Sequence, residues 1–290
     1  MEWTPAMEHN SLSACCTLSN GAVIPRIGYG TWQMPDGSGT ADAILAAIRA
    51  GYRHIDTAAA YGNERSVGSA LRASGLPREE LFITSKLANP DHGYEATRAA
   101  FLRTLDSLGT DYLDLYLIHW PNPIAFRDQW KQANAGTWRA MEEFYREGRI
   151  RAIGVSNFCQ RHLEALLETA QIVPMVNQLS LSPGLTQDEL CRYSREMGML
   201  LEAYSPLGTG RVLNVPEMAA YAEKYGRSAA QICLRWSLQM GFLPLPKSAD
   251  PTRMAQNIQI FDFSLSDEDV AAIAALDCGG VPRDPDTTTF

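Results

Sequence analysis

Residues 113–120 read Leu-Asp-Leu-Tyr-Leu-Ile-His-Trp, an apolar run that ends on a histidine. A short strand hydrophobic on both faces belongs in a parallel sheet covered by helices. Working outward, similar runs recur as RHIDT (53–57), LFITSK (81–86), AIGVSN (152–157), MVNQ (175–178), LLEAYS (200–205), FLPLPK (242–247) and IQIF (258–261). The segments between them have helical periodicity and end at Gly51, Gly109, Gly148 and Gly241, the residue type that best turns left-handed after a helix. Helix starts are marked by Ser228 with Gln231, a capping-box pair, and by Ser266 between Leu265 and Val270, spaced as a hydrophobic staple. About eight β/α units predict a closed (β/α)8 TIM barrel. Upstream, two β-prone runs flank Asn20-Gly21, a dipeptide suited to a tight hairpin, which we place across one end of the barrel. Residues 1–13 read as a loose tail, and 14–290 as a single barrel domain.

A doubly wound nucleotide-binding sheet is the competing architecture, and it would carry G-x-G-x-x-G between its first strand and helix. Gly28-Tyr29-Gly30 runs into Thr-Trp-Gln-Met instead, and Gly208-Thr209-Gly210 follows LEAYSP in a loop. Neither has the required setting.

The net charge of −8 argues against nucleic acid as a partner, because such a protein needs a basic face to displace counterions from phosphates. In so acidic a chain an isolated cation in a loop is informative, and Lys247 and Arg253 are two. No apolar run reaches the roughly 20 residues of a membrane span, and no secretory signal precedes the first strand. The reading is a cytoplasmic protein, a monomer or weak oligomer, with small-molecule ligands. The six cysteines, Cys15-Cys16 included, have no zinc or redox spacing, and the five histidines do not cluster with carboxylates as a metal-dependent hydrolase requires. No metal site is expected, and His54 reads as a packing residue.

A barrel builds its site at the C-terminal ends of its strands. Asp56 ends RHID, Tyr61 lies five residues on, Lys86 ends LFITSK and His119 follows LDLYLI. A buried lysine is costly unless paired, and Asp56 can pair with it. A lysine ammonium beside a phenol favours the phenolate, which predicts a Tyr61 pKa below the usual value of about 10 and makes it a proton donor for an oxygen that gains charge. A neutral His119 can donate to the same oxygen.

At these residues the chain resembles the aldo-keto reductases, with the general look of the bacterial 2,5-diketo-gluconate reductases, from about Leu18 to Phe290. The resemblance rests on GYRHIDTAAAYGNE, TSKL, DLYLIHWP, IGVSNF, VNQ, EAYSPLG, LPLPKS and RMAQN. It implies an NADPH-dependent reduction of aldehydes or ketones, with Asp56, Tyr61, Lys86 and His119 as the catalytic tetrad. It further implies that Ser156, Asn157 and Gln178 hold the nicotinamide carboxamide and that Tyr204 stacks on the ring. Ser205, Leu207 and Gly208 would follow the pyrophosphate. Lys247, Ser248 and Arg253 would grip the 2′-phosphate, with Gln256 and Asn257 near the adenine. Some relatives have a basic residue at Asp250, so its acid here weakens the expected preference for NADPH.

Two departures bear on substrate. Many members read Lys-Leu-Trp-Asn where this chain has Lys86-Leu87-Ala88-Asn89, which implies a wider pocket bounded by Trp32, Ala88 and Trp120. Ser180, Ser182 and Gly184 replace a Glu, His and Tyr common in relatives. Trp138 and Trp236 sit at helical spacing and read as core. The family also contains channel-associated subunits that serve as cofactor-bound partners, but the complete tetrad and the lack of an extended partner-binding arm favour an enzyme.

Overall fold

The computed structural model describes residues 13–289, so the expected tail lies outside the described residues except for Ser13. Eight parallel strands form the central sheet: β3 (Tyr29–Gly30), β4 (His54–Asp56), β5 (Phe82–Leu87), β6 (Leu115–Ile118), β7 (Ile153–Ser156), β8 (Val176–Ser180), β9 (Leu200–Tyr204) and β10 (Phe242–Leu245). The sheet closes on itself. Gly28 and Gly30 donate from their backbone nitrogens to the carbonyls of Pro244 and Pro246, at 3.1 and 3.0 Å. The helices α1 (Ser38–Ala50), α2 (Glu64–Ala73), α3 (Tyr94–Leu108), α4 (Trp130–Arg146), α5 (Gln160–Leu167), α6 (Asp188–Glu196), α7 (Pro216–Tyr225), α8 (Ala229–Gln239), α9 (Pro251–Asn257) and α10 (Asp267–Ala274) surround it. Among the described residues, no helix is long and apolar enough to cross a membrane.

Seven of the expected strands stand where the apolar runs placed them. IQIF does not. Residues 258–261 form no strand, and Ile260 and Phe261 instead bury their side chains in the core. The barrel position they were assigned belongs to Tyr29–Gly30, which pairs with β4 on one side and lies against β10 on the other. Glycine is needed at this seam, since a Cβ on Gly28 would stand 2.5 Å from Leu245 Cδ2 and 2.7 Å from His54 Nδ1.

The hairpin exists as β1 (Cys15–Thr17) and β2 (Val23–Pro25), but its loop is longer than a two-residue turn: Thr17 pairs with Val23. Only Gly21 of the loop takes a positive φ, of 86°. Asn20 holds the loop by its side chain, accepting from the Ala22 nitrogen and donating to the Arg151 carbonyl just before β7. That bond ties the hairpin to the end of the barrel where the strands begin.

Helix termini follow the sequence signals. Gly51 and Gly109 end α1 and α3 in left-handed conformations. Ser228 and Gln231 close a reciprocal capping box on α8, and the Ser266 hydroxyl accepts from the Asp269 nitrogen at the start of α10. Trp138 and Trp236 are fully buried, as their spacing predicts.

Candidate active site

Side chains alternate across a strand, so residues two apart share a face. His54 and Asp56 on β4, Thr84 and Lys86 on β5, and Glu202 and Tyr204 on β9 are such pairs. Register then sets Asp56 beside Thr84, Lys86 beside Leu117, and Gln178 beside Glu202. The result is a polar cluster inside the barrel, toward the C-terminal ends of the strands.

Lys86 is fully buried and its ammonium is satisfied by the Asp56 Oδ1 carboxylate at 2.7 Å and the Thr57 carbonyl at 2.8 Å. The Tyr61 hydroxyl lies 3.5 Å from the same nitrogen. His119 meets the Tyr61 ring edge-on, with centroids 5.7 Å apart and planes at 75°. The four expected residues are therefore brought together at the C-terminal rim. Burial works to lower the lysine's pKa, but its acidic neighbours, the Asp56 carboxylate foremost, outweigh that effect and raise the pKa above the usual value. Burial and the Lys86 charge push His119 down to about 3, so its imidazole is neutral across the physiological range.

Tyr61 differs from expectation. Burial raises its hydroxyl above the ordinary phenol value, and the opposing pull of Lys86 is the smaller effect. The neighbouring ammonium is legible in the sequence, whereas the desolvation that outweighs it arises only in the fold. The group is thus a protonated phenol held against a cation, able to give up its proton when negative charge appears beside it.

Next to the tetrad, the carboxamide candidates form a linked set. Ser156 donates to the Gln178 carbonyl at 2.9 Å. Asn157 spends its amide hydrogens on the His119 carbonyl and the Ser156 hydroxyl, at 3.0 and 3.1 Å, while its oxygen accepts from the Tyr204 hydroxyl at 2.8 Å. Asn157 therefore locks the Tyr204 ring and the His119 backbone in place. Gln178 donates from Nε2 to Asp56 Oδ2 at 2.9 Å and to Glu202 Oε2 at 2.7 Å. Asn157 and Ser205 take left-handed conformations, with φ of 61° and 50°, a strain that side-chain-bearing residues rarely adopt and that concentrates at binding sites. Leu207 and Gly208 continue along the same rim after Ser205.

The phosphate candidates lie beyond β10. Lys247 borders a cleft of about 230 Å³ shared with Gln33, Met34, Asp36, Gly37 and Thr40. Ser248 is buried, its carbonyl takes the Tyr29 hydroxyl, and its own hydroxyl accepts from the Asp250 nitrogen. Arg253 is exposed in the first turn of α9, where Asp250 caps the Thr252 and Arg253 nitrogens. Of the adenine candidates, Asn257 is buried and Gln256 exposed.

Three substrate candidates ring the mouth. Trp32 follows β3 and is 42% exposed, Ala88 follows β5, and Trp120, 7% exposed, follows β6. The C-terminal segment crosses toward this side. Asp286 accepts from Asn122 Nδ2 at 2.6 Å and meets His162 Nε2 at 3.0 Å, and Arg127 donates to the Thr288 carbonyl. Trp130 packs edge-on against His162, with centroids 4.9 Å apart. Sequence reasoning missed Glu202 and Asp286. Glu202 was detectable from parity, standing two residues before Tyr204, whereas nothing local marks Asp286.

A sequence profile of the Aldo/keto reductase family matches residues 26–277. The glyoxal reductase of Bacillus subtilis (strain 168) is 49% identical over 266 residues, covering 92% of this chain and 94% of that protein. A crystal structure of an aldo/keto reductase from Brucella melitensis aligns with a TM-score of 0.86 at 44% identity, covering 91% of this chain and 100% of the other. The Bombyx mori aldo-keto reductase in complex with NADP aligns at 0.82 with 36% identity, over 91% of this chain and 92% of that one. With nearly the whole barrel matched and almost half its residues shared with a relative of similar length, the chain belongs to the aldo/keto reductase family.

Proposed function

We propose that this protein reduces aldehyde or ketone carbonyls to alcohols with NADPH, Tyr61 giving the proton. The observation that carries the reading is the buried Lys86–Asp56 pair at 2.7 Å with the Tyr61 hydroxyl at 3.5 Å and His119 across from it. An ammonium sealed in a barrel is expensive, and a phenol placed against it is what an acid serving a developing oxyanion needs.

The residues present suit the cofactor. Ser156, Asn157 and Gln178 would hold the carboxamide, Tyr204 would lie against the ring, and Ser205, Leu207 and Gly208 would follow the pyrophosphate. Lys247, Ser248 and Arg253 would meet the 2′-phosphate, with Gln256 and Asn257 at the adenine. The left-handed backbone at Asn157 and Ser205 and the cleft beside Lys247 support this assignment. Bound there, NADPH supplies the hydride that the carbonyl carbon accepts.

The chain's own groups do the rest. Tyr61 passes its phenolic proton to the carbonyl oxygen and is left as a phenolate. Lys86 offsets that charge at close range, and Asp56 keeps Lys86 ionised and aimed. His119, being neutral, donates an N–H to the same oxygen and orients it. Trp32, Ala88 and Trp120 bound the space for the substrate. The relative named for glyoxal and the one bound to NADP support a small carbonyl and this cofactor.

The test is NADPH oxidation by the purified protein across small dicarbonyls, aldehydes, keto-sugars and bulky cyclic ketones. Turnover that saturates with carbonyl is expected. Saturable NADPH binding without turnover on any carbonyl would overturn the reading.

A further inference from the structure

Behind Gln178 stands a carboxylate to which the tetrad assigns no part. Glu202 is fully buried on β9, directly beside Gln178 in register. Its Oε2 accepts from Gln178 Nε2 at 2.7 Å, while the other hydrogen of that same amide goes to Asp56 Oδ2 at 2.9 Å. Both donors of Gln178 are thereby committed to acids, which leaves its side-chain oxygen as the group free to face a carboxamide. Glu202 Oε1 has no hydrogen-bond partner and lies 3.9 Å from His54 Nε2, which is engaged with the Thr84 hydroxyl. His54 Nδ1 is likewise without a partner. A buried acid with an unmet oxygen costs free energy that pure packing could avoid. Packing alone would be better served here by an apolar side chain, so the position of the carboxylate beside Gln178 points to a role.

We propose that Glu202 is a positioning residue for the cofactor: it fixes the orientation of the Gln178 amide from behind, and its ionisation sets how the barrel interior weighs oxidised against reduced nicotinamide. The inference rests on the assignment of Gln178 to the carboxamide. Reduced nicotinamide is neutral and oxidised nicotinamide carries a positive charge, so an anion appearing behind Gln178 favours the oxidised form.

The surroundings fix where that change falls. Asp56 and His54 face Glu202 from β4, Lys86 from β5 and Gln178 from β8, with Leu243 beside it on β10. Burial, then the Asp56 charge, push Glu202 up to about 8, against the opposing bond from Gln178 and the charge of Lys86. Burial and Lys86 push His54 down to about 3, so the histidine stays neutral and the two do not form an ion pair. His119 is neutral well below this range and Tyr61 protonated well above it.

The experiment measures dissociation constants of NADP+ and NADPH from pH 6.5 to 9.5, by fluorescence, for wild type, Glu202→Gln and Glu202→Met. Taking the ratio of the two constants cancels the titration of the 2′-phosphate they share. In wild type the ratio should move toward NADP+ on the order of fivefold or more as the pH passes 8. In both variants it should be flat, and Glu202→Met should also bind both cofactors more weakly because Gln178 loses its anchor. A wild-type ratio that does not move overturns the proposal even if neither variant folds. So does an equal movement in a folded variant. Failure of wild type to bind either cofactor would instead sink the functional reading on which the inference stands.

Discussion

Asp250 caps the helix that carries Arg253 and also lies 3.6 Å from the Arg253 guanidinium. One acid thus organises the turn and competes for the cation proposed to meet the 2′-phosphate. Arg253→Ala should weaken NADPH roughly tenfold or more, the value of a charge-assisted contact, and leave NADH nearly unchanged. Asp250→Ser should do the reverse, since serine still caps the helix and no longer competes for the arginine. Titrating both cofactors into both variants checks this, and equal losses for NADPH and NADH in Arg253→Ala would remove the phosphate assignment.

Tyr61→Phe removes the proposed acid and no proposed cofactor contact. Carbonyl reduction should fall by about two orders of magnitude or more while NADPH affinity stays within a few fold. Turnover near the wild-type level would mean that the proton comes from another group.

Because His119 is already neutral, the rate of reduction should show no break near pH 6.5 from that residue. Stability should respond instead. His54 and His119 are held near 3, and an unfolded histidine takes up a proton below about 6.5, so their contribution is present above 6.5 and is lost as the pH falls toward 3. Thermal unfolding from pH 8 to 4 should show a falling midpoint, and His54→Gln should flatten part of the slope. A slope that is unchanged in the variant would show that His54 titrates normally.

Ala88→Trp should narrow the mouth. Overpacking costs about 1 to 3 kcal/mol, so a bicyclic ketone should lose roughly tenfold in kcat/KM while a small aldehyde is spared. Equal loss for both substrates would point to damage at Lys86, two residues earlier, and no change for either would mean that residue 88 faces away from the pocket.

Legibility in the sequence followed the physics of each element. β6 was readable because it is apolar on both faces, and β5 because an apolar Leu-Phe-Ile start runs into a charge at Lys86. β3 was not, because Tyr29–Gly30 is too short to show a period and its glycine seam answers to β10, far away in the chain. IQIF looked like a strand for a local reason, its apolar side chains, which the core uses without any ladder. At the site, Asp56 and Lys86 stood out as charges ending apolar runs. The acidity of Tyr61 was misjudged since burial cannot be weighed from neighbours in sequence. Glu202 was hidden inside a stretch whose resemblance drew attention to Tyr204 and Ser205, and Asp286 finds Asn122 and His162 only through the fold.

The closure of the barrel through Gly28 and Gly30 onto Pro244 and Pro246 also governs the order in which the chain can mature during synthesis. The first barrel strand leaves the ribosome early, and its second neighbour follows about two hundred residues later, roughly 10 to 40 s at ordinary rates of elongation. Until then β3 keeps an open edge, the kind of surface on which nascent chains pair with the wrong partner. Its length of only two residues keeps that edge short for as long as the wait lasts.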